Sequence, residues 1–142
     1  MCATEDARRG TTFTSSEKIK LLTLDCEMVT LYSKAEKDTR MPLACWVYLG
    51  GGKGRTALEE FVRYPKYQIA DMGTKFHGLL FDGIKNAGHI SAIRGRVIKY
   101  IAATDVLVGC NVASDLRSLG FTMGDYIAVR QKVRDVGPSR CR

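Results

Sequence analysis

Residues 21 to 29 read Leu21-Leu22-Thr23-Leu24-Asp25-Cys26-Glu27-Met28-Val29, an apolar run interrupted only at positions 23, 25 and 27. In a strand, successive side chains point to opposite faces, so Leu22, Leu24, Cys26 and Met28 form one unbroken apolar face while Asp25 and Glu27 share the other. The two carboxylates then stand roughly 7 Å apart at the Cα level, on a strand apolar enough for the middle of a sheet. Like charges in such a place raise each other's pKa and resist burial. A cation relieves both effects. Hard divalent ions such as Mg2+ and Mn2+ prefer carboxylate oxygen, so Asp25 and Glu27 read as the first half of a metal centre.

The rest of the chain must supply a sheet around that strand. At 142 residues and 45% hydrophobic content the sequence fits one domain over residues 18–142, preceded by a polar, aperiodic segment at 1–17 that reads as flexible. A formal charge of +7, from 22 Lys and Arg against 15 Asp and Glu, points to a polyanionic partner such as nucleic acid. Five cysteines at positions 2, 26, 45, 110 and 141 are odd in number and have no C-x-x-C spacing, which argues against a disulfide framework and a zinc ribbon. No apolar run reaches membrane-spanning length and the N-terminus has no signal-like apolar core, so the expectation is an intracellular protein of nucleus or cytoplasm, without membrane association.

Working outward, residues 33–40 read as a solvated loop, and Leu43–Leu49 and Thr56–Tyr64 read as a hairpin around the turn Gly50-Gly51-Gly52-Lys53-Gly54. A phosphate-binding loop is excluded there, because Gly-x-x-x-x-Gly-Lys-Ser/Thr is not completed and no helical pattern follows. Trp46, Tyr48 and Phe61 read as core residues of that hairpin. Residues 68–84, with Gly73, Gly78 and Gly83, read as a loop with short helical turns. Ile90, Ile93, Val97, Ile98 and Ile101 make a helical stripe, with Arg94, Arg96 and Lys99 on the solvated circumference.

Val106-Leu107-Val108 is a short continuous apolar run that suits a buried parallel strand reached through a crossover helix. Asn111 reads as the N-cap of the next helix, whose stripe is Val112, Leu116 and Leu119 and whose stop is Gly120. Helical side chains lean toward their own N-terminus, so Asp115 can reach back to the strand end that launches the helix, where open α/β sheets place their sites. Cys110 reads as a buried thiol at the strand end, and residues 128–136 as a last strand. Asp135 reads as a structural carboxylate paired with Arg134 or a backbone donor.

The string Leu24-Asp25-Cys26-Glu27-Met28-Val29 closely resembles the first motif of the DEDD 3'-5' exonucleases, in the eukaryotic RNA-exonuclease branch that includes the interferon-stimulated exonuclease. The resemblance continues in order through Phe61-Val62-Arg63, through Asp71 with Thr74-Lys75-Phe76-His77-Gly78-Leu79, through Val106 to Leu116 with Asp115 in the place of the second-motif Asp, and through Lys132-Val133-Arg134-Asp135. It implies an α/β, RNase H-like mixed sheet with flanking helices, its first strands antiparallel and later ones parallel. It also implies a metal-dependent exonuclease acting on RNA or single-stranded 3' ends and releasing nucleoside 5'-monophosphates, RNA being the favoured partner over DNA. Asp25, Glu27 and Asp115 would be both catalytic residues and ligands of two divalent ions, Mg2+ or Mn2+, while Met28, His77 and Asn111 would lie on the substrate side.

Two departures qualify that expectation. The third motif, His-x-x-x-x-Asp on a C-terminal helix, is not found after Asp135, so the C-terminal helical part, the fourth carboxylate and the general base are expected to be missing. A general base alone commonly contributes 10²–10⁴-fold, so impaired catalysis is expected, with a pseudo-nuclease serving as a binding or assembly module as the alternative. The uncovered sheet face is then expected to be sticky or covered by a protein partner. His77-Gly78-Leu79-Leu80-Phe81-Asp82 satisfies the third-motif spacing literally, but lies between the first and second motifs and matches a loop instead.

Overall fold

The computed structural model describes residues 20–33 and 40–137; the flexible segment expected at 1–17 lies outside the described residues. The strands are β1 (Leu21–Tyr32), β2 (Arg40–Gly50), β3 (Thr56–Phe61), β4 (Ile69–Asp71), β5 (Val106–Gly109) and β6 (Val133–Asp135). Helices are α1 (Thr74–His77), α2 (Phe81–Ile84), α3 (Ile90–Ala102), α4 (Val112–Ser118) and α5 (Met123–Val129). The sheet runs β3-β2-β1-β5-β6, with β4 beside the far end of β1. β1 pairs antiparallel with β2 and β4 but parallel with β5, and β5 pairs parallel with β6. This is the mixed sheet of an RNase H-like fold, antiparallel first and parallel later.

Local chemistry explains most elements. Gly52–Gly54 turns the chain between β2 and β3, with Lys53 in the left-handed region at φ 61°. Ile93, Val97 and Ile101 bury completely, whereas Ile98, expected in the same stripe, is 42% exposed, so the contact face of α3 is narrower than the pattern suggested. Arg94 and Arg96 are also more than a solvated face. Arg94 donates to the Leu119 carbonyl at 3.0 Å and Arg96 pairs with Glu60 at 3.1 Å. Lys132 donates to the Ile101 carbonyl at 3.0 Å, so cations satisfy the carbonyl ends of both α3 and α4.

Three expectations need correction. First, the β1–β2 register shifts between Glu27 and Met28. The extra residue, Cys45, lies on β2, and β1 changes its buried side across the same point: Leu22, Leu24 and Cys26 are buried before it and Val29 and Leu31 after it. Glu27 and Met28 are both half-buried, and the apolar face does not run unbroken to Met28. Second, the strand expected over 128–136 is mostly not a strand. Thr122 Oγ1 accepts from the Asp125 N–H at 3.1 Å while Asp125 accepts from the Thr122 N–H at 2.9 Å, a capping box that starts α5 and commits Ala128 and Val129 to its last turn. Only Val133–Asp135 pairs with β5.

Third, Trp46, Tyr48 and Phe61 are not core. Directly opposed residues of antiparallel strands share a face, which puts Glu27, Trp46 and Phe61 on one rung and Asp25, Tyr48 and Glu59 on the next. On this face Asp25, Glu59 and Phe61 are exposed and Trp46 and Tyr48 half-buried. Trp46 stacks on Tyr48 with centroids 5.8 Å apart and donates its indole N–H to Glu59 at 2.9 Å. The opposite face carries the core: Leu24, Val47, Ile93, Leu107 and Leu116 are almost fully enclosed. Each such side chain contributes roughly 1.5–3 kcal/mol. No helix among the described residues is long and apolar enough to cross a membrane.

A carboxylate cluster where β5 leaves β1

β5 accompanies β1 only as far as Thr23, opposite Val108, and then ends at Gly109 while β1 continues to Tyr32. Gly109 lies so close to β1 that an added Cβ would stand 2.7 Å from the Leu24 carbonyl oxygen and 3.0 Å from Val112 Cγ2. Only glycine permits this approach. The chain then passes through Asn111, at φ 57°, into α4, whose first turn carries Asp115. α4 packs on β1 and β2 and so occupies the edge that β5 has vacated. Asp115 is delivered there beside Asp25-Cys26-Glu27, as its place one turn inside the helix suggested.

The electrostatics of this corner are one-sided. Asp115 is only 6% exposed. Its carboxyl is pushed up to about 7, first by burial and then by the charges of Asp25, Glu27 and Asp135, with the Cys26 backbone N–H partly offsetting them. Burial also raises Asp25, again offset by the Cys26 N–H. Glu27 is raised by burial and by Asp25, and lowered by His77. No Lys or Arg forms an ion pair with Asp25, Glu27 or Asp115 among the described residues. The donor chemistry therefore suits a hard divalent cation. The side-chain placement is less complete: among the described residues, no group of three or more His, Cys, Asp or Glu is arranged so that it could hold a metal ion.

Asp135 is the member of this corner that sequence reading understated. It accepts from the Val112 N–H at 2.8 Å and so caps α4 from β6. Asn111 occupies the N-cap position but makes no side-chain cap bond, because its left-handed backbone turns the side chain away from that role. The expected backbone partner of Asp135 is thus Val112, while Arg134 donates to the carbonyls of Gln131 and Val133. Parallel pairing of β5 with β6 brings Asp135 opposite Gly109, and the strand order that does so carries no local sequence signal.

His77 ends α1 and reaches β1. The Leu79 N–H donates to His77 Nδ1 at 3.0 Å, so Nδ1 is the acceptor and Nε2 carries the hydrogen toward the Met28 carbonyl 3.2 Å away. Both ring nitrogens are spent on backbone, and Cys45 Sγ lies 4.0 Å from Nε2. Asp82, its literal partner in the His-x-x-x-x-Asp spacing, is on α2 and pairs with Lys85 at 3.4 Å. Of the three substrate-side candidates, Met28 is half-buried with its carbonyl facing His77, and Asn111 is exposed at the head of α4. Cys26 and Cys45 are free and buried, with Cys45 pushed up to about 11 chiefly by burial. Cys110 is disulfide-bonded, not the free thiol expected.

No family model and no curated protein matches the chain. Among solved structures, the fold is similar to the Saccharomyces cerevisiae apo Pan2 pseudoubiquitin hydrolase–RNA exonuclease (UCH-Exo) module in complex with AAUUAA RNA, with a TM-score of 0.65 at 16% identity. That match covers 89% of this chain and 22% of the other. A 3'-exonuclease that recognises the 3' end of the histone mRNA stem-loop matches with a TM-score of 0.45 at 16% identity, over 71% of this chain and 39% of that one. At such identities the similarity is one of fold, and the chain spans well under half the length of either structure.

Proposed function

We propose that this chain carries the acidic half of a metal-dependent 3'-5' exonuclease centre acting on RNA or single-stranded 3' ends. The observation that carries this reading is the gathering of Asp25, Glu27 and Asp115 at the point where β5 leaves β1, with Asp115 pushed up to about 7 and, among the described residues, no cation paired to any of the three. Asp25, Glu27 and Asp115 would hold Mg2+ or Mn2+. Such ions, when bound, activate water for attack on a phosphodiester and stabilise the leaving 3' oxygen. The chain's own residues prepare the site. Asp115 holds a proton near neutral pH that an arriving cation would displace, the Cys26 N–H offsets part of the upward shift, and Asp135 fixes the first turn of α4. The fold similarity to an RNA exonuclease module and the +7 charge support nucleic acid as the partner.

A second reading has a specific observation in its favour. His77 spends both ring nitrogens on backbone, and His89, whose Nδ1 accepts from the Ser91 N–H at 3.2 Å to cap α3, stands with Arg63 and Phe81 beyond β3, so the carboxylates have no histidine placed beside them as a base. A chain of this kind would bind nucleic acid without cutting it. The decisive assay follows 5'-labelled single-stranded RNA with Mn2+ or Mg2+. A stepwise ladder that disappears in Asp25→Ala supports the exonuclease, whereas retained binding with no ladder at any metal concentration supports the binding module.

A further inference from the structure

The edge of the sheet farthest from β6 carries a feature of opposite sign. Between the exit of β3 and the start of α3 the chain forms a cavity of about 370 Å3 whose walls include Arg63, Gln68, Phe81, Lys85 and His89. Lys66 Nζ stands 5.6 Å over the Phe81 ring, and Lys75 Nζ 5.0 Å over Phe76. Tyr67 and Phe76 present their rings to solvent at 80% and 78% exposure. No acid lines the cavity. Asp82 pairs at 3.4 Å with Lys85 across an exposed surface, a contact worth little, and among the described residues the Arg63 guanidinium has no ion-pair partner. The Arg63 backbone is held in place by its N–H to the Gly88 carbonyl at 3.0 Å.

An aromatic ring bordered by exposed cations suits a base and its phosphate, since every base has a π-face to stack and every linkage a charge to neutralise. The volume falls in the range of small-ligand sites, roughly 300–1,000 Å3. Position matters too. Glu27, Trp46 and Phe61 share one rung, and Arg63 lies two residues beyond Phe61. Two strand spacings across and two residues along put Arg63 roughly 12 Å from Glu27. That separation is too long for one nucleotide to touch both groups through its own phosphate.

We propose that the cavity of Arg63, Phe81, Lys85 and His89 holds an internal nucleotide of a single-stranded nucleic acid, its base against Phe81 and its phosphates against Arg63 and Lys85. The inference rests on the exonuclease reading only for the direction of the strand, with the 3' end toward Asp25 and Glu27. Binding itself is independent of turnover. The test is fluorescence anisotropy of 5'-fluorescein oligouridylate in EDTA, with the full chain and two variants: R63A/K85A and F81L. R63A/K85A should weaken binding at least tenfold and reduce the log–log salt slope by about 1.4, the value for two lost single-strand phosphate contacts. F81L, which keeps apolar volume but loses the ring, should weaken it roughly five- to hundredfold.

Affinity within twofold of wild type in both R63A/K85A and F81L overturns the proposal, as does an equal loss for a fluorescein-labelled polyglutamate of matched charge, which would mark a generic anion patch. Should F81L lower the thermal midpoint, R63A/K85A decides, because both of its side chains are on exposed residues. Failure of the cleavage assay with this binding pattern retained removes the exonuclease reading and leaves the cavity standing; the reverse result does the opposite.

Discussion

Two regions of this sheet treat charge in opposite ways. Where β5 leaves β1, secondary structure forces Asp25, Glu27, Asp115 and Asp135 together, and Asp115 is buried with no counter-ion among the described residues. Beyond β3, Arg63, Lys66, Lys75 and Lys85 stand on loops and single helical turns, all exposed, with aromatic rings among them. The acidic corner buries charge and is destabilising in itself; the basic edge is solvated and nearly free of cost. Stability given up at a fixed place is the usual mark of a site that must be pre-organised, whereas a surface that only tracks a flexible chain needs no such strain.

The largest effect that would break this contrast is at Asp115. A carboxyl raised to about 7 in the fold keeps its proton between pH 4 and 7 while the unfolded chain has already lost it, so the native state binds more protons and stability falls as pH rises through that window. The slope is about 1.4 kcal/mol per pH unit, levelling off above pH 7. Asp115→Asn removes the titration. Its gain over wild type in urea unfolding should therefore be about 3 kcal/mol greater at pH 8 than at pH 5. Equal gains at both pH values would show that the corner is not electrostatically strained. Mn2+ at pH 8 should raise the stability of the wild type and not that of Asp25→Ala.

Next in size is Gly109→Ala, whose new Cβ would meet the Leu24 carbonyl and Val112. Forcing backbone apart at a strand pair costs about 1–3 kcal/mol, and hydrogen exchange should show the loss concentrated at Leu22 to Leu24 and Val106 to Val108. Asp135→Ala removes the cap on Val112 and should cost about 1 kcal/mol, with the first turn of α4 exchanging faster. It also lowers the charge around Asp115, so the stability loss should be smaller at pH 8 than at pH 5. At the basic edge, Asp82→Asn should change thermal stability by no more than about 0.5 kcal/mol, because the Lys85 pair is exposed on both sides. A cost comparable to that of Gly109→Ala would mean that this edge is as rigid as the acidic corner.

Sequence reading recovered what depends on neighbours in the chain. The period of two through Leu22, Leu24 and Cys26, the α3 stripe of Ile93, Val97 and Ile101, and the glycine-rich hairpin turn were all legible. So was Asp115 in the first turn of a helix launched from a strand end. The last segment was misread because Ala128 and Val129 suit a strand by composition, while the capping box at Thr122 and Asp125 lies upstream of them. Trp46, Tyr48 and Phe61 were misassigned because alternation says which residues share a face, but not which face the helices cover.

The residues alone determined that β1 carries two carboxylates on a core strand, that a third follows a buried strand by one helical turn, and that the surplus charge is positive. Tertiary structure decided the rest. It put the bulge between Glu27 and Met28, closed the α4 cap with Asp135 from a strand 23 residues away, locked both nitrogens of His77 and separated the cations of residues 63–85 from the acids. The physical reason is that these outcomes depend on pairing between distant segments and on summed burial and charge. A period or a motif fixes neither of those until the strands have chosen their partners.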